Sequence, residues 1–307
     1  MLRRSAFALA LATRIAAGAS LGLPMLPSTA WAHVICGNRT FPVTLTMDDP
    51  GVADEASLPT IQYTPIPQSA GGGQVMSYGF EWDKLITEKF MLAINGGYLA
   101  SDSGGVNEKG WNNLSLTAKD ELLCSEANEF VASVGVVRAF ARTGSSQLVN
   151  NGLIDSTSST SPVLYFGKGF GDLPIGYLRP FAITGELAYA FTDTESAKPN
   201  SWNYALSLQY SPSYLQQSVK DIGLPDFISR LTPLVEVALT TPRGQRTTGT
   251  IAPGLLYNAS WFQVGAEAII PANAATRRTQ GTGFIAQFHL YFDDLFPTTV
   301  GRPIFGG

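Results

Sequence analysis

Apolar and polar residues alternate with a period of two along most of this chain, in segments of about ten residues separated by turn formers. Ser201 to Tyr210 shows the pattern most clearly. Trp202, Tyr204, Leu206, Leu208 and Tyr210 share one face, and Asn203, Ala205, Ser207 and Gln209 share the other. Phe181, Ile183, Gly185, Leu187, Tyr189 and Phe191 repeat it opposite Thr184 and Glu186. Phe284, Ala286, Phe288, Leu290 and Phe292 do so again opposite Gln287, His289 and Tyr291. Aromatics stand at the ends of these apolar faces with aliphatics between, the arrangement of girdles at two membrane interfaces. The segments run over 58–66, 74–83, 88–99, 111–123, 128–142, 160–170, 176–192, 200–211, 231–241, 247–258, 260–271 and 282–293. The connections between them alternate short and long. The pattern predicts an all-β fold, a transmembrane antiparallel β-barrel of about 12 strands with short periplasmic turns and longer external loops. Two features run against it. The connection 212–230 is long yet falls on the periplasmic side, and Pro253 removes a ladder donor inside a strand. A soluble exported β-sandwich also alternates. Large aromatics on the repeated faces favour lipid.

The first residues read as an address. Arg3 and Arg4 precede an apolar run, and Ala30-Trp31-Ala32 fits a small-x-small cleavage site. Residues 1–32 are therefore expected to be a signal peptide, with the mature chain starting at His33. An uncleaved anchor helix fits less well, because Arg14 splits the run and Pro24 and Pro27 follow it. A lipoprotein would need small residues before Cys36, where His33-Val-Ile stands. After His33 no stretch approaches the roughly 18 consecutive apolar residues of a spanning helix. The domains expected are the signal peptide 1–32, an N-terminal periplasmic segment or plug 33–57, the barrel 58–293 and a Pro/Gly tail 294–307. Phe288 to Phe292 has the alternating aromatic end expected of the final strand that outer-membrane assembly machinery engages, but the tail from Asp293 follows it, so either that recognition strand is internal or the last strand is another segment. The expected location is the outer membrane of a Gram-negative cell.

Composition narrows the function classes. Only 14% of the 307 residues are charged, and the net charge is -4. Loss of the leader removes three Arg and no acid, leaving the exported chain more acidic. No basic footprint for nucleic acid exists. Membrane lipid and a small-molecule solute are the expected partners.

A resemblance joins the pattern here. Gly110-Trp-Asn-Asn-Leu-Ser-Leu-Thr-Ala-Lys119 resembles the G-x-x-D/N-L-x-L-x-x-K strand of a family of outer-membrane barrels associated with the meta pathway of phenol degradation. Val137 to Gly144 resembles that family's following strand, with Ala141-Arg142 where the family has Pro. Leu234 to Gly244, with Thr241-Pro-Arg-Gly244, and Gly254 to Pro271 are similar to its later hairpins. The resemblance spans 58–293 as a pattern. It implies a transporter, and phenolic or hydrophobic solutes.

The face opposite the apolar one carries charges at interior depth. These are Glu81, Lys119, Glu121, Arg138, Glu186, Glu236 and Glu267, with His289. On the lipid face Lys or Arg would cost about 2–4 kcal/mol each near the midplane. A lumen lining is therefore expected, either as a structural ion-pair network or as a pore preferring cations or polar neutral solutes. Arg138 shares its face with Phe130 and Val136, which leaves that strand's orientation open. Met47-Asp-Asp-Pro50 and Ala53-Asp-Glu55 read as irregular chain. Folded inward, 33–57 would plug the lumen. Its acids lack the spacing of an EF-hand, so no metal is expected. Cys36 and Cys124 both fall on the periplasmic side and are expected to pair.

No nucleotide, zincin or nucleophile-elbow motif occurs, so no cofactor and no catalytic residue is assigned. The leading expectation is passive or facilitated passage of a small solute. A closed structural or surface-binding barrel is the alternative, and a barrel enzyme using His289 a third.

Overall fold

The computed structural model describes residues 34–305. The expected signal peptide 1–32, its expected cleavage site and His33 lie outside the described residues. A short antiparallel hairpin comes first, β1 (Val34–Cys36) and β2 (Arg39–Phe41). The wall then runs β3 (Glu55–Ile66), β4 (Gly73–Thr87), β5 (Phe90–Ser103), β6 (Val106–Trp111), β7 (Ser115–Ser125), β8 (Phe130–Ala139), β9 (Ser159–Gly169), β10 (Phe181–Thr192), β11 (Ser201–Tyr210), β12 (Leu231–Pro242), β13 (Thr248–Asn258), β14 (Phe262–Pro271) and β15 (Gly283–Tyr291). Each wall strand pairs with the next in sequence, except that β5 pairs with both β6 and β7, and β15 pairs with β3, so the ring closes. Closure leaves no open edge to face lipid. With β6 and β7 sharing one position, this is a barrel of twelve antiparallel strands. No helix among the described residues is long and apolar enough to cross a membrane; the crossing is by strands.

Alternation sorts the wall into two faces. On β11, Trp202, Tyr204, Leu206 and Leu208 are exposed, while Ser207 and Gln209 are buried inside. Trp82, Leu116, Val136, Leu164, Leu187, Leu255 and Val264 continue the outer apolar surface on other strands. Such a continuous belt is stable only against lipid.

Several boundaries differ from the sequence pattern. The wall begins at Glu55 rather than 58, because β3 continues through a register shift between Ser57 and Thr60. That shift puts Leu58 outside and returns Thr60 to the inner face beside Gln287. The expected segment 111–123 is split. Its first part, β6, pairs only with β5 and extends that hairpin beyond the ring. The last strand stops at Tyr291, and Phe292–Leu295 is a helical turn. Pro253 does sit within β13. The ladder to β14 lapses between Ile251 and Gly254 and resumes in unchanged register, the cost expected of a missing N–H.

The long connection 211–230, expected on the periplasmic side, holds two short helical turns, Pro212–Tyr214 and Asp226–Ser229, with a π-helical turn Leu215–Val219 between. The tail returns to the wall: the amides of Ile304 and Phe305 donate to the carbonyls of Leu85 and Ile86.

Candidate functional site

Residues 36–54 run inside the barrel, and their contacts define its interior. The hairpin β1–β2 turns at Gly37, whose φ is +67° and whose Cβ position lies 2.6 Å from the Glu126 carbonyl. Only glycine fits there. Cys36 is bonded to Cys124, with Cα atoms 5.8 Å apart. Cys36 and Phe41 are fully buried against Val131 and Ala182. A Cβ at Gly167 would come within 3.1 Å of the Phe41 ring, so that inward-facing position must stay bare.

Arg39 is 1% exposed and fully engaged. Its Nε donates to Glu129 Oε2 at 3.0 Å, and its other nitrogens donate to the carbonyls of Pro180 (3.2 Å) and Arg179 (2.5 Å). The Tyr214 ring lies 3.7 Å below its guanidinium, and the Tyr214 hydroxyl donates to Glu129 at 2.5 Å. Burial, and then the bond to Glu129, pushes the Tyr214 phenol up to about 12. The long connection 211–230 thus supplies part of the cage around Arg39.

Beyond the hairpin the chain threads between strands. Gln263 donates to the Val43 carbonyl at 2.8 Å. Glu236 accepts from the amides of Leu45 (3.0 Å) and Thr46 (2.8 Å), and from the Thr46 hydroxyl. Leu45 packs on Leu234, Ala252, Leu256, Ile269 and Ile285, and lies against Gly265. Lys119, 1% exposed, donates to Asp48 Oδ1 at 2.8 Å and to the Asp49 carbonyl at 3.0 Å. Ser133 donates to the Pro50 carbonyl at 2.5 Å. Burial raises the Asp49 carboxyl against the pull of Lys119. Asp54 closes the run by accepting from Lys84 (2.7 Å) and the Leu85 amide (3.0 Å).

Between this segment and strands β3, β4, β5, β10 and β15 remains a cavity of about 360 Å³. It is lined by Asp48, Asp49, Glu55, Glu81, Asp83 and Glu186, with Ser57, Asn95, Gln287 and His289. His289 bridges β3: its Nδ1 is 2.8 Å from Ser57 Oγ and its Nε2 is 3.1 Å from Glu55 Oε2.

The sequence-selected residues fall into three groups. Glu81, Lys119, Glu186 and His289 gather around the cavity or the segment beside it. Glu236 and Glu267 neighbour each other across β13, with Gly254 leaving the room between them. Two stand apart. Glu121 is on the Lys119 side of β7 but near its periplasmic end, where its charged neighbour is Lys89 in the β4–β5 turn. Arg138 is not in the lumen. It pairs across with the exposed Leu116 and shares the outer face of β8 with Val134 and Val136. There it reaches the external end and forms a two-point ion pair with Asp193 at 2.8 and 2.6 Å. A cation ending the apolar stripe at the rim meets water and escapes the midplane cost.

Ser57 and Asp83 were missed as lumen groups, while Asp48, Asp49 and Glu55 were named only as acids of the segment expected to fold inward. Asp83 alternates with Glu81 and was legible in the pattern. Glu55 and Ser57 were hidden by the irregularity at Leu58-Pro59, which breaks the period just after them.

No protein-family model matches the chain, and neither does any curated protein sequence. Solved structures do match. An outer membrane channel from Pseudomonas putida F1 aligns over 82% of this chain and 99% of its own, with TM-score 0.52 and 11% identity. The porin KdgM aligns over 76% and 99%, with TM-score 0.44 and 12% identity. At this identity the likeness is one of fold: the chain has the closed barrel of outer-membrane proteins. Its interior can therefore be read only from its own residues, which offer many oxygen acceptors and one buried ammonium.

Proposed function

We propose that the protein is an outer-membrane channel for passive or facilitated passage of a small polar solute, held closed here by residues 42–54. The supporting observation is the way this segment is fixed in the lumen. Glu236 caps two of its amides and Lys119 holds Asp48, so breakable polar contacts secure its middle. Its first residues are tied to the periplasmic rim by Cys36–Cys124. A permanently filled barrel would be served as well by apolar packing, which costs no desolvation of buried charge. The resemblance to the phenol meta-pathway family would name phenolic solutes. The cavity lining contains no Phe, Tyr or Trp, and its carboxylates favour a polar or positively charged solute.

The test is planar-bilayer conductance of protein purified from outer membranes, with residues 42–50 intact or replaced by a Gly-Ser linker of equal length. The replaced form should show discrete, cation-preferring steps several-fold larger than the parent. A linker variant that is folded and inserted yet conducts no more than the parent would reject the channel.

A second reading has one specific observation behind it. Ser57 and Glu55 flank His289 in the order nucleophile, base, acid. The surrounding carboxylates oppose it, since an acyl-transfer oxyanion needs donors rather than anions nearby. Hydrolysis of a p-nitrophenyl ester that disappears on Ser57→Ala would establish it; a rate unchanged by that substitution would dismiss it.

A further inference from the structure

The lumen cavity is chemically lopsided in a way the closed barrel does not use. Most of its acceptors have internal partners. Asp48 holds Lys119, Glu81 is bonded to Asn95, Glu186 accepts from the Asp48 amide, and Glu55 holds His289. Among the described residues Lys119 is the sole ammonium in contact with this group, and its bonds go to Asp48 and the Asp49 carbonyl. Among the described residues that line the cavity, two buried oxygens are without a hydrogen-bond partner, Asp83 Oδ1 and Gln287 Oε1. Asp83 is 5% exposed and Gln287 9%, and both side chains line the cavity. The amide nitrogen of Gln287 already donates to Thr60 at 3.1 Å, which fixes its oxygen as the end left over. Buried polar atoms are rarely left unpaired. Both of these are acceptors, and they stand among carboxylates, so the missing group is a donor that carries positive charge.

Two occupants meet that description, a metal ion and an organic cation. Among the described residues no three His, Cys, Asp or Glu side chains converge as a metal shell. The acceptors are instead spread along a wall, on strands β3, β4, β10 and β15. Spread acceptors suit a solute with several N–H donors on an extended skeleton. A space of about 360 Å³ is at the small end of ligand sites.

We infer that this cavity is a binding site for a small organic cation bearing primary amines, with Asp83 and Gln287 as its recognition oxygens. The inference rests on the channel reading and names its solute class. The site lies in the path that residues 42–50 obstruct, so the solute is held where the segment would have to move. A compact amine of two charges would neutralise Asp83 and Glu81 together and leave the Lys119 bridge intact.

Isothermal titration calorimetry of the detergent-solubilised protein tests this, with 1,4-diaminobutane as probe at low salt. Butane-1,4-diol, succinate and calcium chloride are the comparison titrants. Saturable one-site binding of the diamine is expected, weakened at least tenfold by Asp83→Asn and also by Gln287→Leu, with diol and succinate silent. Two variants are used because either alone could disturb the wall; the Trp fluorescence and melting temperature of each are recorded first. Equal binding of the diol or succinate would overturn the proposal. So would stoichiometric calcium that displaces the diamine, or no saturable heat at all. If the diamine does not bind while the linker variant still conducts, the solute class is wrong and the channel stands. If it binds and no variant conducts, the cavity is a binding site and the channel reading falls.

Discussion

The two halves of the internal segment are held by different physics. The hairpin 34–41 has a covalent bond, a buried ring and a cation caged by a carboxylate, two carbonyls and an aromatic face. The stretch 43–50 buries two apolar side chains, Leu45 and Met47, and is otherwise held through amides, carbonyls and one ion pair. Hydrophobic burial and cross-links resist displacement by water, whereas buried polar contacts can be exchanged for water or for a solute. The rim end is therefore an anchor, and the central stretch is the part able to rearrange.

The largest effect should come from the cross-link. The disulfide closes a separation of 88 residues, and chain entropy over a loop of that size is worth about 4–5 kcal/mol. Reduction, or Cys36→Ser with Cys124→Ser, should lower the melting temperature in detergent markedly. An unchanged melt would mean that the cage around Arg39 anchors the hairpin alone. That cage comes next. Arg39→Met leaves Glu129 buried without its cation, at a cost of about 3–5 kcal/mol. Urea unfolding would measure it, and a loss below about 1 kcal/mol would erase the distinction between the halves.

The central stretch should respond more weakly in stability and more strongly in conductance. Glu236→Gln removes the charge from bonds to the Leu45 and Thr46 amides, a loss of about 1.5–3 kcal/mol. Open probability in a bilayer should rise with it, while the Arg39 and cysteine variants keep the parent's gating range. If Glu236→Gln stays silent and Arg39→Met conducts, the roles of the two halves are reversed.

The smallest effect lies outside both halves, where the tail docks. Burial and then the neighbouring Asp294 lift the Asp293 carboxyl from 3.8 to about 7. The folded state thus holds this proton more tightly than the unfolded chain does. Its contribution is present below 3.8 and declines as pH rises to 7. Melting temperature should fall across that window, and Asp293→Asn should flatten the slope. A slope unchanged in the variant would assign the dependence to other carboxyls.

Much of this was legible beforehand where one residue repeats a rule many times. All twelve wall segments could be read because each carries its own period-two signal, and one mistaken end does not alter the rest. Glu81, Glu186, Glu236, Glu267, Lys119 and His289 followed from the same alternation. Arg138 did not, because at a strand end the outer face changes from lipid to water and a cation there breaks no rule. Glu55 and Ser57 were lost to a single irregularity beside Leu58. The hairpin 34–41 gives only three residues per strand, too few for a period to register.

Alone, the sequence determines that this chain closes into a barrel with an apolar belt and an acidic inner face. Those are local properties: each residue's face is set by its neighbours one and two positions away. That 33–57 would turn inward could be expected from the sequence; the path it takes was decided only in three dimensions. Residues 36–50 have no pattern of their own. Their path is fixed by partners 70 to 220 positions distant, among them Lys119 and Gln263. So are the two unpaired oxygens at Asp83 and Gln287, which lie on strands brought together by ring closure through β3. Pairwise contacts over such separations depend on the registers of several strands at once, and no window of sequence contains them.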